Sequence, residues 1–240
     1  MYIENDPMGT AIADYHAGKE SRLAVLSPMF DEDEIPVSYL FRTYDGMSAL
    51  EQRAIDLARG RILDVGAGAG CHSLALQARG LDVTSIDISP LAVETMTARG
   101  VKNALCKDFF SGFTSKYDTI LMLMNGIGIV GRLDRLPSFF AHVDSLLAPG
   151  GQVLFDSSDL SYVYEDEDGM IDLTGVKGYY GEIVYKMKCR DVEGDYFPWL
   201  YVDFPTLSYY AESSGYDAEL ILEGTHYDYL ARLTKKNAGI

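Results

Sequence analysis

Residues 63–70, LDVGAGAG, end an apolar run in alternating glycines, and nineteen residues after Gly68 a second apolar run ends in Asp87. A strand that enters a helix through glycines lets backbone come close to a ligand. A carboxylate closing the next strand can then accept hydrogen bonds from a ribose. The two features together predict a parallel α/β sheet with a nucleotide-bearing ligand at its carboxyl edge. A dinucleotide fingerprint, G-x-G-x-x-G, would place its third glycine at Cys71. This chain instead compresses the glycines into G-x-G-x-G at Gly66, Gly68 and Gly70, preceded by Asp64.

The flanking sequence alternates short apolar runs with helical patterns, which is the signature of a sheet covered by helices on both faces. A helix over residues 46–58, with Met47, Leu50, Ala54 and Leu57 on one face, leads into a strand at 61–65. Leu74, Ala75 and Ala78 mark a helix that Gly80 ends, and a strand at 82–86 follows. Ser89 as N-cap and Pro90 in the first turn start the next helix, which Gly100 stops. Strands are expected at 103–107 and at 117–124, the latter apolar enough for burial on both faces. A helix carrying Leu136, Phe139, Phe140, Val143, Leu146 and Leu147 is closed by Pro149-Gly150-Gly151, and a fifth strand covers 152–156. Right-handed crossovers bring the carboxyl ends of these strands, with Asp64, Asp87, Asp108, Asn125 and Asp156, to one rim.

Beyond Asp156 the pattern changes. Residues 178–188 and 196–203 alternate aromatic and polar side chains around Glu193-Gly194, as in an antiparallel β-hairpin inserted at about 160–204. A helix at 206–213 and strands at 217–222 and 228–234, joined near Gly224, complete the sheet. The expected organisation is an N-terminal helical lid and lead-in helix over residues 1–60, then one domain over 61–240 that carries the hairpin.

The ordered set Asp64, Gly66/Gly68/Gly70, Asp87, Asp108-Phe109 and Pro149-Gly150-Gly151 resembles the class I S-adenosylmethionine-dependent methyltransferases, closely over residues 61–160 and more loosely over the C-terminal strands. The resemblance implies a Rossmann-like α/β fold: a mostly parallel seven-stranded sheet with an antiparallel last strand and helices on both faces. It implies S-adenosyl-L-methionine as cofactor, with Asp64 facing its methionine end and Gly66, Ala67, Gly68 and Gly70 bringing backbone into contact with it. By the same resemblance Asp87 binds the ribose hydroxyls and Ile88 packs on the adenine. Asp108 and Phe109 bind and cover that ring, and Asn125 holds the amino end. The chemistry agrees, because this ligand carries a sulfonium and an ammonium rather than a pyrophosphate, so carboxylates at the strand ends suit it. A regulatory protein that binds the same ligand without transferring its methyl group, and an NAD-dependent oxidoreductase, are the competing readings.

Composition narrows the partners. Thirty-six acidic against twenty basic residues give a formal net charge of -16, which repels a phosphate backbone and argues against nucleic acid. The runs DEDE at 31–34 and EDED at 165–168 read as solvated surface. Three cysteines, Cys71, Cys106 and Cys189, match no zinc spacing and read as buried thiols of a reducing compartment. With no signal-like start and no run near the roughly 18 apolar residues of a membrane span, a cytoplasmic location is expected.

Methyl transfer needs alignment and exclusion of water more than a dedicated catalyst. The lid and the hairpin are therefore the places to look for acceptor contacts. Tyr15 and His16 are the candidate bases, and Tyr39, Arg42, Tyr44, Asp156 and Trp199 the candidate substrate contacts, with a small-molecule acceptor and no metal. The hairpin also holds Tyr179, Tyr180, Tyr185, Tyr196, Phe197 and Tyr201. Its other possible use is a subunit contact, which leaves a homodimer open.

Overall fold

The computed structural model describes residues 5–236; the ends of the two expected segments, 1–4 and 237–240, lie outside the described residues. In chain order the elements are α1 (Pro7–His16), β1 (Leu23–Leu26), β2 (Asp33–Ile35), α2 (Ala49–Leu57), β3 (Arg61–Val65), α3 (Cys71–Ala78), β4 (Asp82–Asp87), α4 (Pro90–Ala98), β5 (Ala104–Cys106) and β6 (Tyr117–Met122). They continue with α5 (Leu136–Leu146), β7 (Leu147–Ser158), β8 (Glu182–Cys189), β9 (Val192–Glu193), β10 (Phe197–Leu200), α6 (Phe204–Ser213), β11 (Tyr216–Glu223) and β12 (Asp228–Lys235).

Seven strands form one sheet in the order β11-β12-β7-β6-β3-β4-β5. The five strands from β5 to β7 run parallel, while β12 is antiparallel to both β7 and β11. Alternation along each strand builds two apolar layers. Ile62, Leu121, Leu123, Leu154 and Leu230 face α2 and α3 through Leu50, Ala54, Ile55 and Leu76. Leu63, Val65, Ile120, Met122, Val153 and Phe155 face α5 and α6 through Phe139, Phe140, Val143, Leu207 and Ala211.

A second sheet lies outside the expected plan. β10, β8, β1 and β2 pair in that order, all antiparallel, with β9 on β8. Residues 5–60 therefore form more than a helical lid, because two strands from this segment extend the C-terminal hairpin into one unit. The sequence hid them for a physical reason: β1 is four residues long, and β2 is an exposed acidic edge whose Glu34, with neighbouring Glu32, pairs with Arg22. The hairpin turns at residues 190–191 and not at Glu193-Gly194; Arg190 takes the left-handed conformation at φ 53°. Its guanidinium reaches Asp14 of α1 at 2.8 Å, which fastens the turn.

Boundaries shift where local chemistry intervenes. The lead-in helix starts at Ala49 because Ser48 and Glu51 form a reciprocal capping box. β6 stops at Met122, two residues short of the apolar run, because Met124 and Asn125 turn left-handed. Of the cysteines expected to be buried, Cys71 and Cys189 are, but Cys106 at the sheet edge is exposed. No helix among the described residues is long and apolar enough to cross a membrane.

Candidate functional site

The glycine turn sits at the carboxyl end of β3, and its three glycines have positive φ of 67°, 53° and 81°, a region that L side chains avoid. They differ in surroundings. A Cβ on Gly70 would meet Val101 at 2.7 Å and Met96 at 3.0 Å, so this glycine serves packing against α4. A Cβ on Gly68 would lie 3.9 Å from Ile12, because α1 passes over the turn. On Gly66 it would meet nothing within 4 Å, so the backbone there is open to close approach by a ligand. Ala67 donates its N–H to the Ile86 carbonyl at 3.0 Å, which holds the turn against β4.

Asp87 is oriented from both sides. Its two carboxylate oxygens accept the Gly68 and Ser89 N–H groups, each at 2.9 Å. Burial pushes its carboxyl above the usual range, the two N–H groups oppose that shift, and nearby Asp6 adds to it. Asp6 caps α1 and accepts the Ser89 hydroxyl at 2.5 Å, which docks the start of α1 beside Asp87. Ile88, the next residue, is 52% exposed, the apolar face a planar base needs.

At the end of β5, Asp108 is exposed and accepts the Phe110 N–H at 2.8 Å. The Phe109 ring, expected to cover the adenine, is instead in the core, edge-on to His142 at 4.9 Å and near Phe139. Phe110 is the exposed ring of the pair. Strand alternation past the sheet edge sends one ring inward and its neighbour outward.

Met124 and Asn125 have φ of 64° and 55°, two consecutive left-handed non-glycine residues at a cost of about 1–3 kcal/mol each. The surroundings hold them there. Both oxygens of Asp156, on neighbouring β7, accept the Asn125 N–H at 2.9 and 3.0 Å. The Asn125 side-chain NH2 donates to the Leu200 carbonyl of β10 at 3.3 Å. Its Oδ1 is buried and has no partner among the described residues. Asp156, expected to contact substrate, is thus engaged by backbone, and burial pushes its carboxyl up. Trp199, also on β10, lies on the following turn: a Cβ on Gly128 would fall 2.0 Å from its indole nitrogen.

Beneath the turn, Asp64 is 1% exposed and accepts the Ser73 hydroxyl at 2.5 Å. Ser73 in turn meets Ser85 at 2.6 Å. Burial raises the Asp64 carboxyl, and His72 and Ser73 counter it. Beside it is a buried polar network that sequence reasoning missed. Glu51 Oε1 meets His72 Nε2 at 2.7 Å and pairs with Arg42, while Oε2 accepts the Tyr39 hydroxyl at 3.1 Å and the Ser48 N–H at 2.9 Å. The S-x-x-E capping pattern signalled Glu51 as a cap, but nothing local signalled that its second oxygen joins Arg42 to His72.

Several residues expected to meet substrate or take a proton are engaged within the protein. Arg42, whose side chain is 5% exposed, lies 3.8 Å from the Tyr39 ring centre and anchors the lead-in segment rather than facing a substrate. The Tyr44 hydroxyl donates to Asp56 at 2.8 Å, with Arg79 over its ring. Tyr15 and His16 lie at the opposite end of α1 from Asp6, against Phe41 at 4.7 and 6.4 Å between ring centres. Neither is hydrogen-bonded to Asp87, Asn125 or Asp156 among the described residues.

The arrangement fits the expected methyl donor. Open space at Gly66 accommodates a ligand against backbone. The orphaned Asn125 Oδ1 needs a donor such as an ammonium, and Asp87 keeps lone pairs for ribose hydroxyls beyond its two backbone contacts. Among the described residues no group of three His, Cys, Asp or Glu is placed to hold a metal ion.

A family model described as a methyltransferase domain matches residues 39–194. The chain is 55% identical to an S-adenosylmethionine-dependent methyltransferase from Bacteroides fragilis, crystallised in complex with S-adenosyl-L-homocysteine. That similarity covers 99% of this chain and 98% of the other, with a TM-score of 0.92. More distant structures share the fold: a methyltransferase from Clostridium acetobutylicum at 14% identity (76% of this chain, 87% of the other, TM-score 0.55) and an amino pentose methyltransferase from Micromonospora echinaspora at 16% (80% and 94%, TM-score 0.53).

Proposed function

Because the chain belongs to the S-adenosylmethionine-dependent methyltransferases and takes its methyl group from S-adenosylmethionine, we propose that it methylates a nitrogen, oxygen or carbon nucleophile of a small molecule. The observation that carries this reading is the second sheet. Met124, at the strand-end rim, packs against a cluster that includes Ala11 and Ile12 of α1, Leu23 of β1 and Cys189 of β8, so α1 and the second sheet roof this part of the rim. A roofed rim on a chain of net charge -16 suits a compact acceptor and opposes a polyanion.

S-adenosylmethionine supplies a methyl group already activated by its sulfonium. The chain's own residues orient it and keep water away. Asp87 accepts the ribose hydroxyls, with Ile88 and the exposed Phe110 ring flanking the adenine near Asp108. Gly66 and Ala67 bring backbone alongside the donor. Asn125 Oδ1 accepts the ammonium, and the buried Asp64 carboxylate lies behind Ser73 as a complementary charge. In the hairpin, the Tyr185 and Tyr201 hydroxyls lie 3.1 Å apart, and burial pushes both phenols up. They therefore stay neutral near pH 7 and orient an acceptor by hydrogen bonds instead of taking its proton. Tyr15 and His16, at the far end of α1, have no part in this account.

The test is transfer of a labelled methyl group from S-adenosylmethionine across a panel of small amines, hydroxylated compounds and carbon acids, run beside RNA, DNA and polypeptide. Label is expected in a small molecule; label confined to nucleic acid or polypeptide overturns the proposal.

A further inference from the structure

We infer that Asp156 is a positioning residue for the methyl donor: it holds the left-handed Met124–Asn125 turn so that the Asn125 side-chain carbonyl meets the donor's ammonium. The inference rests on the proposed role of Asn125 and goes one residue further.

The parallel register pairs Met122 with Phe155, so Asp156 comes just beyond the last paired residues of β6 and β7. There the chain of β6 leaves the ladder, and the Asn125 N–H would lose its strand partner. Asp156 supplies one, with both oxygens at 2.9 and 3.0 Å. This fixes the backbone of Asn125 from the sheet side. The side chain is fixed from the hairpin side, because its NH2 donates to the Leu200 carbonyl at 3.3 Å. That contact also sets the amide's orientation, since only the NH2 can donate to a carbonyl. With the backbone held by β7 and the amide held by β10, Oδ1 is left buried and without a partner among the described residues. A group oriented twice and left with a free acceptor is prepared for a donor that arrives with the ligand.

Two ligands separate this role from a general structural one. S-adenosylhomocysteine carries the ammonium; 5′-methylthioadenosine keeps the adenosine and thioether but lacks the amino-acid end. By calorimetry, Asp156→Ala should weaken S-adenosylhomocysteine by about 10- to 100-fold and leave 5′-methylthioadenosine within about 2-fold, a change too small for a lost hydrogen bond. Asn125→Ala should show the same selectivity, and the double variant should be no weaker than Asn125→Ala alone, because both act on one contact. Asp156→Asn, whose side-chain oxygen can still accept the Asn125 N–H, should recover most of the affinity. If Asp156→Ala does not fold, Asp156→Ser, too short to reach that N–H, carries the same expectation.

Equal weakening of both ligands, no weakening of either, or additive losses in the double variant would overturn the positioning role. Asn125→Ala leaving S-adenosylhomocysteine unaffected would instead overturn the underlying role of Asn125, and a wild-type protein that binds neither ligand would overturn the donor seat itself.

Discussion

At the scale of single residues, the three glycines of one motif have different jobs, and substitution should separate them. Gly66→Ala places a methyl in open space at φ 67°. It should cost the fold about 1–2 kcal/mol of left-handed strain but lower S-adenosylhomocysteine affinity at least about 10-fold by intruding on the ligand. Gly70→Ala meets Val101 and Met96. It should lower the melting temperature more, because overpacking of about 1–3 kcal/mol adds to the same strain. Thermal unfolding and calorimetry on both variants check this, and the reverse ranking would contradict it. Asp87→Ala removes the acceptor that Gly68 and Ser89 orient and should weaken the ligand by about 1.5–3 kcal/mol, the value of hydrogen bonds to a charged group. An unchanged dissociation constant would remove Asp87 from the ribose site.

At the scale of elements, the seven strands of the main sheet were readable because apolar runs alternate there with helical patterns punctuated by glycine or proline, an order that placed even the three-residue β5. β1, β2 and the turn at Arg190 were not, since a four-residue strand and an acidic edge carry no periodicity, and their pairing is set by contacts far apart in sequence. The same divide runs through the site. Gly66, Asp87 and Asn125 fall at strand ends that spacing locates on the rim, whereas the Glu51–His72–Arg42 network and the inward turn of Phe109 depend on which neighbours the tertiary fold supplies. The hairpin is held to the rim by Trp199 on the Gly128 turn. Trp199→Ala should therefore cost about 3 kcal/mol, the lower end for a large aromatic that is partly exposed. Hydrogen exchange should show lost protection concentrated in β8 and β10, and uniform loss across both sheets would contradict this account of the hairpin.

At the scale of the molecule, Asp64, Asp87 and Asp156 converge on one rim in a chain of net charge -16, and burial raises the carboxyl of each. A carboxyl raised on folding contributes stability below its unfolded value, about 3.9, and loses that contribution as pH rises through the higher folded value. The ligand-free protein should accordingly melt at progressively lower temperature as pH rises from the unfolded carboxyl value, about 3.9, through the higher folded values, with overall charge repulsion acting in the same direction. A cationic ligand favours the ionised carboxylates, so S-adenosylmethionine should bind more tightly as pH rises across that window and should release protons there. Calorimetry in buffers of different ionisation enthalpy measures the release, and proton uptake would contradict the electrostatic reading. The most direct measurement is a crystal structure of this chain with S-adenosylhomocysteine. The account predicts ribose hydroxyls on Asp87, thioether sulfur beside Gly66 and ammonium within hydrogen-bond distance of Asn125 Oδ1. A ligand whose amino-acid end points away from Asn125, or whose ribose leaves Asp87 untouched, would contradict it.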